Sequence, residues 1–169
     1  MDTENRRKQI FLMLKNAVSP ISGAEIANRF SVSRQVIVQD IAILRAENKD
    51  IISTYRGYML YRRNKAFRRT FEVKHGRGDM FEELATIVDC GGEVLDAVIE
   101  HEVYGSVSVE LHINSRSDIE EFIEKMDRYG AQPLTALTDG HHFHTVECDD
   151  EKKLDLIEQK LAQKGYLVR

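Results

Sequence analysis

The sequence contains only two cysteines, Cys90 and Cys148, which lie far apart and form no Cys-x-x-Cys pair. A disulfide framework is therefore excluded as the basis of the fold, and the paired-cysteine zinc motif is absent. We interpret both cysteines as free thiols of a reducing compartment; the alternative is that one of them serves as a single zinc ligand. This usage of cysteine favours a cytoplasmic protein.

Long apolar runs are also missing. No stretch approaches the ~20 consecutive apolar residues that span a bilayer. The first eleven residues carry charges of both signs where a signal peptide would have an apolar segment. Internal repeats and low-complexity segments are absent as well. The sequence therefore predicts a protein with no membrane partner, while its 42% of hydrophobic residues is enough for a folded core.

The net charge of −4 conceals two halves of opposite sign. Residues 1–66 contain 12 Lys or Arg against 6 Asp or Glu, whereas residues 67–169 contain 12 against 22, together with all six histidines. A basic module suits a polyanion such as nucleic acid, and an acidic module suits a different partner. We therefore predict two domains, 1–64 and 68–169, with the boundary in the polar run near 62–68.

Three short helices and a hairpin are predicted in the first domain. Apolar residues recur at three- and four-residue spacing in segments 5–17, 23–30 and 34–47, which indicates helices. Ser22 and Ser33 stand at the N-cap positions of the second and third helices, which a short turn connects. Residues 50–60 are predicted to form two strands around Arg56-Gly57. This order is typical of a winged helix-turn-helix.

The predicted third helix carries residues suited to DNA. Arg34 and Gln35 have the side chains that read guanine and adenine in the major groove, and Ser33 can donate to a phosphate. The same residue types would also suit solvated helix positions, but the surrounding module favours DNA binding. Further phosphate contacts are expected from Arg6, Arg7 and Lys8. The predicted DNA-binding set, with the wing tip included, is Ser33, Arg34, Gln35, Val38, Gln39, Tyr55 and Arg56.

The second domain is predicted to be an α/β sandwich, with helices on one face of a mostly antiparallel sheet. Strands are predicted at 69–75, 94–103, 106–113, 141–147 and 166–168. Helices are predicted at 80–89, 117–129 and 151–164. The chain as a whole is therefore expected to be α+β, an N-terminal winged helix-turn-helix followed by this sandwich.

Two histidines of the segment 141–144 share one side of their strand. Residues i and i+2 of a strand point the same way, so His142 and His144 can chelate one metal ion, whereas His141 is expected to face solvent, as is His112. A third ligand must come from elsewhere: His75 ends a strand, and Glu83 lies about one turn into the next helix. Imidazole and carboxylate donors suit Zn²⁺, Ni²⁺, Co²⁺ or Fe²⁺, and do not suit Ca²⁺ or Mg²⁺. Two ordinary polar strand positions would explain the histidine pair equally well.

The chain resembles the niacin-responsive repressors of bacteria, in which a three-histidine domain follows a winged helix. In the first domain the resemblance rests on SGAEIANRFSVSRQVIVQDIAILRAENKDI, residues 22–51. In the second it rests on Val73-Lys74-His75, Glu82-Glu83-Leu84, the segment 98–105, His142-Phe143-His144-Thr145 and Gly165-Tyr166-Leu167. Glu102 departs from the family pattern, where a proline is expected. The resemblance implies one divalent transition metal per chain, with ligands His75, Glu83, His142 and His144.

The resemblance also implies that niacin (nicotinic acid) is the effector. It would act as co-repressor on double-stranded operator DNA of genes for NAD synthesis or niacin uptake. A pyridine nitrogen suits an open position on the metal, and Tyr104 is our candidate for the carboxylate. His101 is the second predicted ligand-binding residue, with a hydrogen-bonded core histidine as its alternative. A homodimer is expected, since one helix-turn-helix reads only a half-site.

Two other functions remain open from the sequence. In a metal-sensing regulator the ion itself is the signal, so that metal alone switches operator binding. In a metal-dependent hydrolase the open metal position activates water. The sequence has no separate general base of the His-Glu-x-x-His kind and no nucleophile motif. We therefore expect a regulator and not an enzyme.

Overall fold

The computed structural model describes residues 2–47, 50–61 and 67–169 of the chain. The chain divides into two compact units, Met1–Arg63 and Asn64–Arg169. The boundary run predicted from the sequence, and the predicted domain end at 64, lie largely outside the described residues. Each unit is treated separately below. No helix in the described parts of the chain is long and apolar enough to cross a membrane.

The first unit contains three helices and a two-stranded hairpin. The helices are α1 (Thr3–Asn16), α2 (Gly23–Phe30) and α3 (Arg34–Glu47), and the hairpin strands are β1 (Ile51–Thr54) and β2 (Gly57–Leu60). The predicted N-cap at Ser22 is present, because its hydroxyl accepts the N–H of Glu25 at 3.1 Å. Ser33 accepts the N–H of Val36 in the same way. The first helix ends at Asn16, four residues before Pro20. Proline disfavours a helical conformation in the residue before it, so Pro20 acts on the segment between α1 and α2.

Apolar side chains of all three helices meet in one core. Its members are buried residues at helical spacing, joined by one residue of the hairpin: Ile10, Leu14, Ile26, Ala27, Ile37, Ile41, Leu44 and Ile51. Burying an isoleucine or leucine side chain contributes about 1.5–3 kcal/mol. This stripe fixes which face of α3 is turned inward and leaves the opposite face for solvent or a partner.

A buried carboxylate also fastens α1 to α3. Asp40 on α3 is 2% exposed and accepts two hydrogen bonds from Arg6, at 2.6 and 3.2 Å. Arg7 adds a longer contact of 3.8 Å to the same carboxylate, and Lys8 pairs with Glu4. Arg6, Arg7 and Lys8 thus each have an acidic partner within the unit, and their phosphate contacts stay a prediction.

The second unit has the predicted α+β class. Its strands are β3 (Phe67–Lys74), β4 (Glu93–His101), β5 (Gly105–Ile113) and β6 (His141–Cys148). Its helices are α4 (Met80–Asp89), α5 (Arg116–Arg128) and α6 (Glu151–Gln163). Short 3-10 helices occupy Arg77–Asp79 and Leu134–Thr138. The described strands form one antiparallel sheet in the order β3-β6-β4-β5.

The helices pack on one face of this sheet. Gly92 shows the packing, because a Cβ atom there would lie within 3 Å of Ile87 on α4, Ile157 on α6 and Val146 on β6. All three of these side chains are fully buried. The predicted last strand is only a single bridge between Val73 and Leu167, so the C-terminal segment lies along the outer edge of β3.

The register of β4 is irregular at its centre. Between the pairs Val94↔Val146 and Val98↔Phe143, strand β4 has three residues where β6 has two. On its other side, β5 has two residues, Leu111 and His112, opposite one residue of β4. His112 adopts a φ of +55°, the left-handed conformation that β-bulges accommodate. The sheet is thus interrupted beside the histidines of β6.

Candidate metal centre

Three separate elements bring the predicted metal ligands together. The antiparallel register pairs Val73 with His142, so that His75, just beyond the end of β3, lies at the start of β6. His142 and His144 point to the helix-covered face of the sheet and are 1% and 4% exposed. Glu83, in the first turn of α4, is completely buried over them. The structure therefore brings together all four residues that the sequence nominated.

The donor atoms lie at short, similar distances. His75 Nε2 is 3.2 Å from one carboxylate oxygen of Glu83, and His144 Nε2 is 3.3 Å from the other. His142 Nε2 and His144 Nε2 are 3.1 Å apart. Donor atoms of His75, Glu83 and His142 all lie within 4.8 Å of one another, and His144 adjoins this set through Glu83 and His142. Ligands ~2.0–2.1 Å from one ion, at angles of 90–110°, are separated by about 3.0–3.4 Å.

The other ring nitrogen of each histidine is held by a backbone carbonyl. The Nδ1 atoms of His75 and His142 lie 2.8 Å from the carbonyl oxygens of Gly76 and Gly140, and Nδ1 of His144 lies 2.6 Å from that of Asp96. A carbonyl oxygen only accepts, so each Nδ1 carries the hydrogen and each Nε2 of a neutral ring presents a lone pair. Such partners fix the tautomer of metal-binding histidines.

Several of these buried polar atoms have no hydrogen bond. Nε2 of His75 and both carboxylate oxygens of Glu83 are fully enclosed, and none of the residues that the structure describes gives them a hydrogen bond. Two Nε2 lone pairs facing each other at 3.1 Å, as in His142 and His144, repel unless a cation or a proton lies between them. Buried polar groups without partners are costly. A metal ion would satisfy all of them at once.

Proton affinities in the cluster reflect the same arrangement. Burial opposes the charge of Glu83, but His144 and His75 outweigh it and hold the pKa of the carboxyl well below its usual range. Burial lowers the pKa of His144, and Glu83 raises it by more, so the net shift is upward. Burial and the neighbouring His144 lower the pKa of His142 to about 4. The carboxylate and the imidazoles thus favour each other's charged forms, so a metal ion would compete with protons for these donors.

Apolar side chains surround the rest of the cluster. A cavity of about 50 Å³ adjoins the four donors. It is lined by residues from α4, α5, β4, β5 and the 3-10 helix that follows α5: Met80, Leu84, Ala97, Val109, Leu111, Phe122, Pro133, Leu134 and Thr135. Because Thr135 also lines an open cleft with Lys74 and Arg77, it stands where the cavity meets the surface. The cavity is therefore a small, mostly apolar space next to the four donors.

Gly140 holds two of the donors through one carbonyl. Its oxygen accepts the backbone N–H of His75 at 3.3 Å and the Nδ1–H of His142 at 2.8 Å. Its φ is +84°, and a Cβ atom there would lie 2.1 Å from the carbonyl oxygen of His75. Only glycine suits this position. The sequence analysis did not identify this role, which depends on the contact of Gly140 with His75.

The two predicted ligand-binding residues do not line this cavity. His101 and Tyr104 lie at the turn between β4 and β5, with their rings stacked at 4.8 Å. The Nδ1 of His101 accepts the N–H groups of Val103 and Tyr104, which caps the turn. Tyr104 is 70% exposed. Within the described unit, their placement therefore supports a local structural role.

Five of the seven predicted DNA-binding residues are exposed on the first unit, and the two at the wing are half-buried. Ser33, Arg34, Gln35, Val38 and Gln39 are all exposed on the side of α3 opposite the core. At the wing, Tyr55 and Arg56 lie in the turn between β1 and β2, with the guanidinium 5.4 Å from the tyrosine ring. This arrangement leaves the α3 residues available to the edges of DNA bases.

The two histidines predicted to face solvent differ from each other. His141 points away from the metal ligands, is one-third exposed and pairs with Glu72 at 2.7 Å. The side chain of His112 is only 5% exposed, lying between Glu93 at 3.2 Å and Glu110 at 2.9 Å. The positive φ of His112 breaks the alternation of side chains along β5, so its ring does not face solvent as alternation predicts.

Comparison with known proteins covers nearly the whole chain. A family model described as the 3H domain matches residues 68–169, and one described as an HTH domain matches residues 6–59. The chain is 38% identical over 165 residues to the probable transcription repressor NiaR of Thermotoga maritima. It is 40% identical over 169 residues to the transcription repressor NadR of Bacillus subtilis. Each alignment covers 98% of this chain and 94% of the relative.

Metal binding is expected to stabilise the folded second unit. Addition of Co²⁺ or Zn²⁺ to metal-free protein should raise the midpoint of thermal unfolding, because an ion bound only by the folded state adds about 2.7 kcal/mol at a hundredfold excess over Kd. His142→Ala should abolish this rise, since it removes a central donor. The matched control is His141→Ala, one residue away on the opposite side of β6. Equal stabilisation of both variants by the metal would contradict the site.

The pH dependence of stability should report the buried His112. Burial lowers the pKa of His112, but Glu110 and Glu93 raise it by more, to about 9, from an ordinary value of 6.5. A raised folded-state pKa gives stability that is complete below pH ~6.5 and is lost as the pH rises through ~9. His112→Gln should therefore cost about 1–3 kcal/mol at pH 6 and much less at pH 10, measured by urea unfolding. A loss independent of pH would contradict the ion pairs.

Proposed function

The chain belongs to the 3H-domain family of helix-turn-helix transcription repressors, and on this premise we propose that nicotinic acid is its co-repressor. In this proposal the ligand binds beside one divalent transition metal held by His75, Glu83, His142 and His144. The proposed targets are operators of genes for NAD synthesis or niacin uptake. The proposal describes a cytoplasmic regulator and not an enzyme.

The observation that carries the proposal is the set of buried donors without hydrogen-bond partners. Glu83 and His75 present polar atoms to an enclosed space, and carbonyls hold each histidine with Nε2 facing inward. Three imidazoles and one carboxylate suit Zn²⁺, Ni²⁺, Co²⁺ or Fe²⁺. When bound, the metal would supply a Lewis acid for a pyridine nitrogen. The chain's own residues orient the donors and exclude water.

The cavity next to the donors supports an aromatic acid as ligand. Its walls are apolar on the side away from the cluster, with Phe122, Leu134 and Met80 among them, which suits a flat ring. Among the described lining residues outside the donor set, Thr135 is the polar side chain, and its hydroxyl can donate to a carboxylate. We therefore prefer Thr135 to the exposed Tyr104 as the seat of the carboxylate.

Repression requires that the ligand change affinity for DNA. A ligand shifts an equilibrium only by binding one state of the protein better than another. By linkage, operator DNA must then raise the affinity for nicotinic acid by the same factor. A homodimer is proposed because one helix-turn-helix reads a single half-site. The acidic second unit would repel DNA, which assigns the contact to the basic first unit.

Calorimetric titration of metal-loaded protein with nicotinic acid tests the ligand. We expect binding at micromolar concentration or below for the acid and much weaker binding for nicotinamide, since the amide lacks the negative charge. His144→Ala should remove the binding, and His141→Ala should retain it. The same proteins are then assayed for operator binding with metal alone and with metal plus acid. Full operator binding with metal alone would reject niacin as the signal and favour a metal sensor.

The exposed face of α3 should determine operator affinity. Gln35→Ala is expected to weaken specific binding about ten- to hundredfold, because a bidentate contact to a base contributes about 1–3 kcal/mol. Gln9→Ala, which removes the same side chain from an exposed position on α1, is the control. Fluorescence anisotropy with operator and scrambled duplexes separates specific from general affinity. An equal loss for both variants would contradict α3 as the reading helix.

A further inference from the structure

Asp96 lies at the irregular centre of β4, beside the candidate metal ligands. Residues 95–97 fall between the registered pairs of β4 and β6, so the extra residue takes the Asp96 carbonyl out of the regular ladder. That carbonyl instead accepts the Nδ1–H of His144 at 2.6 Å. The bulge thus provides the backbone partner of one metal donor.

The carboxylate of Asp96 repairs the ladder that the bulge interrupts. Its Oδ1 accepts the backbone N–H of Thr145 at 2.8 Å. Thr145 follows His144 directly, so Asp96 holds the ring of His144 through its carbonyl and the adjacent backbone through its side chain. An unpaired buried N–H would otherwise be costly. Asp96 therefore holds the Nδ1 side of the His144 ring and the backbone amide that follows His144.

We propose that Asp96 is a positioning residue for the metal centre, acting on His144 through the bulge and not by touching the metal. This inference rests on the metal site of the proposed function. Partners of this kind orient metal-bound histidines, and their loss typically weakens metal binding 10–100-fold. The carboxylate is needed as an acceptor that keeps the bulge in place, so an uncharged acceptor of the same shape can replace it.

The test compares Asp96→Ala, Asp96→Asn and Asp118→Ala with the unchanged protein. Asp118 is the matched control, because its buried carboxylate also accepts a backbone N–H, that of Asn114 at 2.9 Å, and it does not line the cavity. Co²⁺ alone is the probe. Its visible absorption reports ligand geometry, a titration gives the affinity, and urea unfolding of the metal-free proteins gives their stability.

Asp96→Ala should weaken Co²⁺ binding at least tenfold and change the Co²⁺ spectrum. Asp96→Asn should bind within about threefold of the unchanged protein, and Asp118→Ala should lose stability while keeping its Co²⁺ affinity. Unchanged affinity in Asp96→Ala, with only stability reduced, would overturn the inference, as would an asparagine variant as impaired as alanine.

If the alanine variant does not fold, Asp96→Ser, with a shorter acceptor, should bind Co²⁺ several-fold more weakly, and unaltered binding would overturn the inference. Failure of the unchanged protein to bind Co²⁺ would instead reject the metal site itself.

Discussion

A carboxylate with no exposure to water constrains the whole second unit. Glu83 is fully buried, and an isolated buried charge is tolerated only when a counter-charge compensates it. The compensation comes from the histidines that face it, which lower the pKa of the Glu83 carboxyl and present donors that suit a metal ion. Removing either side would leave uncompensated charge or unpaired lone pairs in an apolar interior. The cluster and the fold around it therefore depend on each other.

The sheet positions the donors of this cluster both by its strand pairing and by the irregular segments at and within its strands. Antiparallel pairing of β3 with β6 places His75 near His142 although the two are far apart in sequence. Gly140 and Asp96 then contribute carbonyls, one from a tight turn and one from a bulge. Departures from regular structure are thus concentrated where the donors need partners, which is typical of functional sites.

The first unit is organised around a different constraint, the separation of its two α3 faces. One face is held by apolar packing and by the buried Asp40, whose pairing with Arg6 ties α3 to α1. The other face is free to carry polar residues. Charge also divides the chain, since residues 1–66 carry a net positive charge and residues 67–169 a net negative one. In the proposed function, linkage between DNA contact in the first unit and ligand binding in the second would be the regulatory step.

Much of this protein is determined by local sequence. Helical spacing, serine N-caps and strand alternation correctly predicted the helices of both units and the principal strands, because these features depend on neighbouring residues. Alternation also placed His142 and His144 on one side of β6, and the family resemblance nominated His75 and Glu83. Tertiary structure alone decided the rest. The His101–Tyr104 turn does not contribute to the lining of the cavity. The bulges that bury His112 and free the Asp96 carbonyl, and the clash that requires glycine at 140, arise from how one strand pairs with another. Periodicity within a single segment carries no information about such register shifts, because they depend on which residue of another strand lies opposite.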